Sequence, residues 1–138
     1  MDHPDAADPA MAHGAILVVE DHETNRLYLG LLLTQSGYAV ETAANGAEAL
    51  EWLARRAFDL VLMDLQMPVM GGVEAVRRLR ERERVGQLSR TPVIAVSAHV
   101  SEQSRRDSAA AGMDDFLAKP FLPDELLDAL ARWLPQPR

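Results

Sequence analysis

The chain contains no cysteine, which removes disulfides, thiolate nucleophiles and cysteine-ligated zinc or iron–sulfur centres. No stretch approaches the roughly 18 consecutive apolar residues that a membrane-spanning helix needs. Positive charge is scarce: 14 Lys and Arg stand against 21 Asp and Glu, a net charge of -7. That balance argues against the phosphate backbone of a nucleic acid as the main partner. Lysine itself is nearly missing, because all but one of the 14 basic residues are Arg and the exception is Lys119. What is present is enough for one domain. A chain of 138 residues, 48% hydrophobic, buries a sizeable core without covalent staples.

Residues 1–14 read as a tail, with Asp2, Asp5, Asp8, Pro4 and Pro9 among small residues and no periodicity. They carry neither the basic start nor the apolar stretch of a secretory signal, so the expected location is cytoplasmic. His3 and His13 read as solvated. Residues 135–138 form a second short tail after the last helix, since proline does not continue it. The domain expected between them covers 15–134.

Within that span, strand and helix patterns alternate. Ala15–Val19, Leu60–Met63 and Val93–Val96 are short unbroken apolar runs, as suits parallel strands buried on both faces. Tyr38–Thr42 and Asp115–Ala118 are more polar, as edge strands are. Helical patterns cover Thr24–Gln35, Ala47–Arg56, Val73–Arg84, Ser101–Ala111 and Pro123–Leu134. The first groups Leu27, Leu31 and Leu32 on one face, with Gly37 as its stop. The second groups Ala49, Leu50 and Leu53. The third turns Val73, Val76 and Leu79 inward and Arg77, Arg78, Arg80 and Arg82 outward. Its arginines alternate with Glu74, Glu81 and Glu83, so the face reads as solvated, not as a nucleic-acid patch. Five βα units predict an α/β fold, a doubly wound parallel five-stranded sheet with helices on both faces.

Ligands of such sheets bind beyond the carboxyl ends of the strands. There the sequence places Glu20 and Asp21, then Asp64, then Ser97, then Lys119 followed by Pro120. Three carboxylates crowded together raise at least one pKa unless a cation intervenes. A hard divalent ion with oxygen ligands, Mg²⁺ above all, resolves the repulsion. With that charge neutralised, an Asp can approach phosphorus. Phosphoryl transfer asks for in-line positioning and charge neutralisation, which a metal, an ammonium and a hydroxyl supply, and a carboxylate nucleophile gives an aspartyl phosphate.

The motifs Val19-Glu20-Asp21, Met63-Asp64-Leu65-Gln66-Met67-Pro68, Gly72, Ser97-Ala98, Phe116 and Lys119-Pro120-Phe121 resemble, in order and spacing, the receiver domain of two-component response regulators. The resemblance covers residues 15–134. It implies a flavodoxin-like receiver fold with strand order 2-1-3-4-5. It implies Asp64 as phosphoacceptor, Asp21 as a direct Mg²⁺ ligand, Glu20 acting through water, and the Gln66 backbone carbonyl completing the metal site, with Mn²⁺ as a substitute. Ser97 then bonds the phosphoryl group, Phe116 is the aromatic switch, Lys119 pairs with phosphoryl oxygens, and the bond to Pro120 is cis. Gln66 and His99 occupy positions that tune dephosphorylation. Asn25 and the run Ala111-Gly112-Met113-Asp114-Asp115 resemble most the receivers of hybrid sensor histidine kinases. The implied function is a phosphorelay receiver, catalysing only its own phosphorylation and dephosphorylation. Its partners would be a histidine kinase or histidine phosphotransfer protein. A downstream protein would be read through helix 4, strand 5 and helix 5, roughly Ser101 to Trp133, with the chain a monomer or weak dimer.

Rival readings fare worse. An aspartate-nucleophile phosphatase typically has a second Asp where Gln66 stands. A dinucleotide site needs a glycine-rich turn after the first strand, where Glu20-Asp21-His22-Glu23 is found. A Ser97–His99 hydrolase has no nucleophile-elbow turn and no third partner. A scaffold that had lost the chemistry would not be expected to keep Glu20, Asp21, Asp64, Ser97 and Lys119. One departure from the family is Met70-Gly71-Gly72, where an acidic residue is common; altered loop flexibility is the expected consequence.

Overall fold

The computed structural model describes residues 14–67 and 69–134. The two expected tails, apart from Gly14, lie outside the described residues, as does Pro68. The elements are β1 (Ala15–Val19), α1 (Glu23–Gln35), β2 (Ala39–Ala43), α2 (Gly46–Arg55), β3 (Leu60–Asp64), α3 (Gly72–Gly86), β4 (Val93–Ser97), α4 (Glu102–Ala111), β5 (Asp115–Ala118) and α5 (Pro123–Trp133). All strands are parallel, in the order β2-β1-β3-β4-β5. Among the described residues, no helix is long and apolar enough to cross a membrane.

The apolar runs become the three central strands because both their faces are covered. Along β1, Ile16 and Val18 face a core completed by Leu29 and Leu33 of α1 and Leu126, Ala129 and Leu130 of α5. Leu17 and Val19 face the other core, with Ala49 and Leu50 of α2 and Ala75, Val76 and Leu79 of α3. Period-two alternation thus feeds two cores from one strand. Each fully buried Leu, Ile or Val contributes about 1.5–3 kcal/mol. Burial on this scale offsets the placing of charge at the strand ends.

Local signals hold most boundaries. The Asn45 side chain accepts from Glu48 N and starts α2. Ser101 caps α4, accepting from Ser104 N at 3.0 Å. Leu122 N donates to Glu125 Oε1 at 2.7 Å at the head of α5, whose first turn holds Pro123, Asp124 and Glu125. Gly37 and Gly112 take positive φ after α1 and α4, the backbone form that glycine permits.

Two facial expectations are corrected. On α1, Leu27 and Leu31 are 68% and 61% exposed, and the buried pair is Leu29 and Leu33. Leu27, Tyr28, Leu29, Leu31, Leu32 and Leu33 are nearly consecutive, so periodicity does not select a face; docking on β1 and β2 does. On α3, Arg80 points inward. Its guanidinium donates to Gly112 O at 2.9 Å, Thr91 O at 2.8 Å, Glu83 Oε1 at 2.8 Å and Asp114 Oδ2 at 2.8 Å. Glu83 is buried as well and accepts from Thr91 N, and Asp114 accepts from Val93 N. The cluster ties α3 to the α4–β5 turn and to the start of β4. A guanidinium's five donors make this possible where another cation would leave carbonyls unpaired.

Arg80→Ala would leave Glu83 and Asp114 under-neutralised where water cannot reach well. We expect a loss of about 3–5 kcal/mol, measured by urea unfolding; a loss below about 1 kcal/mol would show that the cluster is solvated.

Candidate functional site

The strand order puts the ends of β1, β3, β4 and β5 side by side, and each delivers polar groups where its apolar run stops. Glu20 follows β1, Asp64 and Ser97 are the last residues of β3 and β4, and Lys119 follows β5. Glu20, Asp64 and Ser97 are all buried. Close packing at the rim places them accurately. A Cβ on Gly72 would lie 2.5 Å from the Asp64 carbonyl oxygen, so only glycine lets α3 begin against the end of β3. The Lys119–Pro120 peptide bond is cis.

The Lys119 ammonium donates to Glu20 Oε2 at 3.0 Å and to Asp64 Oδ2 at 3.4 Å. Glu20 Oε1 accepts from Asn25 Nδ2 at 3.2 Å, and Asp64 Oδ1 accepts from the Gln66 backbone N–H at 3.0 Å. Arg26 donates to the Glu20 carbonyl at 2.9 Å and fixes the turn between β1 and α1. The two buried carboxyls respond differently. Burial pushes the Asp64 carboxyl up, and its neighbour Glu20 adds to this, so it reaches about 6 despite Gln66 and Lys119. Burial also penalises ionised Glu20, but hydrogen bonds from Asp64, Lys119 and Asn25 outweigh it and hold the group below its ordinary value. Burial alone would lower Lys119; Glu20 and Asp64 reverse this and raise it. One proton is therefore retained most readily on Asp64, next to an ionised Glu20 and an ammonium.

The remaining expected residues fall into two groups. Asp21 sits at the rim with its Oδ1 buried and accepting no hydrogen bond. Its neighbours Glu20 and His22 bring donor atoms within 4.8 Å of one another and of Asp21. An orphaned carboxylate oxygen among such donors fits a divalent cation. Ser97, in contrast, is turned aside. Its hydroxyl donates to Gln66 Oε1 at 3.1 Å and accepts from the His99 backbone N–H at 3.0 Å. The His99 side chain is exposed. Phe116 is half-buried, with the Arg105 guanidinium 4.5 Å from its ring centroid.

Three contributors were not legible as site residues: Arg26, His22 and Arg105. His22 carried a positional signal, since it directly follows Glu20-Asp21 at the entrance to α1. Arg105 carried none, because only the packing of α4 on β5 brings it to Phe116. Beside the carboxylates, Tyr28, Ala98 and Pro120 help to line a cleft of about 390 Å³ that reaches Glu20 and Lys119.

Comparison with known proteins places this geometry in context. The family described as the response regulator receiver domain matches residues 16–131. Hybrid signal transduction histidine kinase A of Dictyostelium discoideum is 40% identical over 133 residues, which is 96% of this chain and 6% of that protein. The chain therefore spans a small part of that relative's length. The receiver domain of sensor histidine kinase PA1611 from Pseudomonas aeruginosa PAO1, solved with magnesium coordinated in its active-site cleft, is 38% identical. It superposes with a TM-score of 0.78, covering 87% of this chain and 96% of that one. The receiver domain of the Saccharomyces cerevisiae response regulator Ssk1, in complex with the histidine phosphotransfer protein Ypd1, is 28% identical. Its TM-score is 0.81, with 89% of this chain and 90% of that one covered.

The raised Asp64 pKa has a consequence for stability in metal-free solution. Between the unfolded value of 3.8 and the folded value of about 6, the folded state binds more protons than the unfolded one, so stability from this group falls as pH rises through that window. Asp64→Asn removes the effect. The variant should gain about 1–3 kcal/mol over the parent at pH 7.5, and much less at pH 4, by urea unfolding with chelator. An equal difference at both pH values would refute the shift.

Proposed function

The chain belongs to the response regulator receiver domain family, and we propose that Asp64 is its phosphoacceptor in a Mg²⁺-dependent phosphorelay step. The observation that carries this is the Lys119 ammonium bridging the carboxylates of Glu20 and Asp64 at the carboxyl ends of the strands. A carboxylate is there to attack, and a cation is there to accept charge.

An Asp64 carboxylate oxygen attacks the phosphorus of a partner's phosphohistidine. The P–O bond forms, the P–N bond breaks, and the electron pair returns to the imidazole nitrogen, which takes up a proton. Asp21, Asp64 and the Gln66 backbone carbonyl would hold Mg²⁺ or Mn²⁺ directly and Glu20 through water; the ion supplies neutralisation of phosphoryl charge. Lys119 holds a second phosphoryl oxygen. It is free to do so because its present bond to Asp64 is the longer of its two. Ser97 leaves Gln66 and the His99 N–H to bond the phosphoryl group, and Phe116 follows inward. Gln66 and the exposed His99 imidazole flank the route of attacking water, and so set how long the acyl phosphate lasts. The chain thereby catalyses only its own phosphorylation and dephosphorylation.

The phosphoryl donor is a histidine kinase or a histidine phosphotransfer protein, and residues 15–134 act as one receiver domain in the cytoplasm. The readout surface is α4, β5 and α5. There Asp115 takes hydrogen bonds from Arg132 and Trp133 at 3.0 and 2.9 Å, which locks α5 onto β5 so that a shift in one is felt by the other. A monomer or weak dimer presents that face.

Incubation with acetyl phosphate and Mg²⁺ should add one phosphoryl group, seen by intact mass, and chelator should prevent it. Asp64→Asn should abolish the addition; labelling of that variant at the parental level would sink the assignment. Lys119→Arg keeps the charge but replaces a compact ammonium by a planar fork. We expect phosphorylation at least about tenfold slower, in line with one lost charge-assisted contact of about 1.5–3 kcal/mol, and parental rates would remove Lys119 from the mechanism.

A further inference from the structure

His22 is the group at this site that the receiver chemistry above leaves without a task. Its Nδ1 lies 3.2 Å from Asp21 Oδ1 and 3.5 Å from Glu20 Oε1. The side chain is otherwise exposed to solvent at 74%. Asp21 Oδ1 is buried without a hydrogen bond from His22 or any other described residue. A carboxylate oxygen and an imidazole nitrogen thus stand face to face at 3.2 Å, with no hydrogen bond joining them. That spacing has a second meaning. Two ligands at right angles on an octahedral ion, each about 2.1 Å from it, lie about 3.0 Å apart. The Asp21–His22 pair has the span of one edge of such an ion. The backbone keeps it so: Arg26 ties down the Glu20 and Asp21 carbonyls at 2.9 and 3.4 Å, and His22 is the residue that opens α1.

Resting on the metal site proposed above, we infer that His22 is a direct nitrogen ligand of that site and tilts its preference from Mg²⁺ towards later divalent ions of the first transition row. An all-oxygen set suits Mg²⁺, which binds imidazole poorly. An added imidazole favours Mn²⁺, and more strongly Co²⁺, Ni²⁺ and Zn²⁺. The close neighbours of His22 are Asp21 and Glu20, so this role would leave Asp64, Gln66 and Lys119 to theirs.

The test uses the full chain, His22→Asn and Asp21→Asn. Calorimetric titration with Ni²⁺ and with Mg²⁺ gives the ratio of the two affinities for each. His22→Asn should lower the Ni²⁺-over-Mg²⁺ preference about tenfold or more. Pulsed electron paramagnetic resonance on the Mn²⁺-loaded chain should show ¹⁴N coupling from a coordinated imidazole, lost in both variants. Coupling that survives His22→Asn comes from another histidine, such as His3 or His13, and overturns the inference. So does an unchanged Ni²⁺-over-Mg²⁺ ratio in a variant that still binds Mg²⁺. Failure of the parent chain to bind either ion would instead overturn the metal site itself, and this inference with it.

Discussion

The charge cluster of Glu20, Asp64 and Lys119 is the constraint on which the rest of the site depends. Two buried carboxylates and one ammonium within hydrogen-bond reach are tolerable only where the chain is rigid enough to keep the cation between them. That rigidity comes from the sheet. β1, β3 and β4 are buried on both faces, so their ends cannot move apart without opening a core. Burial alone would drive a carboxyl to stay protonated. Here it does so for Asp64 and fails to for Glu20, and the difference is where the hydrogen bonds go. Glu20 receives Lys119, Asn25 and the shared proton; Asp64 has one backbone N–H and the more distant side of Lys119.

This asymmetry bears on how the two acids divide the work. A group with a pKa near 6 is close to changing its protonation state at neutral pH, whereas Glu20 stays ionised throughout. The protonated form of Asp64 is no nucleophile. If Asp21 holds the divalent cation proposed above, the added positive charge would lower the pKa of the neighbouring Asp64 carboxyl and favour its ionised form. Under the proposed function, metal binding and nucleophile activation would then be one event, coupled through electrostatics.

Most of the fold was readable because burial on both faces of a parallel sheet writes itself into short apolar runs. β1 and β5 begin and end as the pattern predicts, and the other elements differ by one or two residues at one end or, for β2, α2 and α3, at both. The site was readable for the same reason: each polar residue that interrupts an apolar run stands at a strand end. What was not legible depended on choices that spacing leaves open. Six apolar residues between Leu27 and Leu33 gave α1 no single face, and only docking chose Leu29 and Leu33. Arg80 looked like its neighbours Arg77 and Arg78, and its inward turn needs Thr91, Gly112 and Asp114, which come from other elements. The position of Ser97 was legible, while its hydrogen bonds to Gln66 and His99 depend on rotamers.

Those hydrogen bonds set the scale of the proposed switch. In the state seen here Ser97 is satisfied by Gln66 and the His99 N–H, and Phe116 is half-buried beneath Arg105. An exposed cation–π contact is worth about 0.5–1 kcal/mol, and a neutral hydrogen bond about 0.5–1.5 kcal/mol net. Releasing the two hydrogen bonds and the cation–π contact therefore costs about 1.5–4 kcal/mol, a population ratio between roughly tenfold and a thousandfold. One charge-assisted bond from Ser97 to a phosphoryl oxygen returns about 1.5–3 kcal/mol. The two sums are close. Under the proposed function, such a receiver would sample its second state before phosphorylation, and the phosphoryl group would shift a balance that already exists. Stronger holding contacts would demand more from the phosphoryl group than one hydroxyl can give, and weaker ones would leave the readout face switched without a signal.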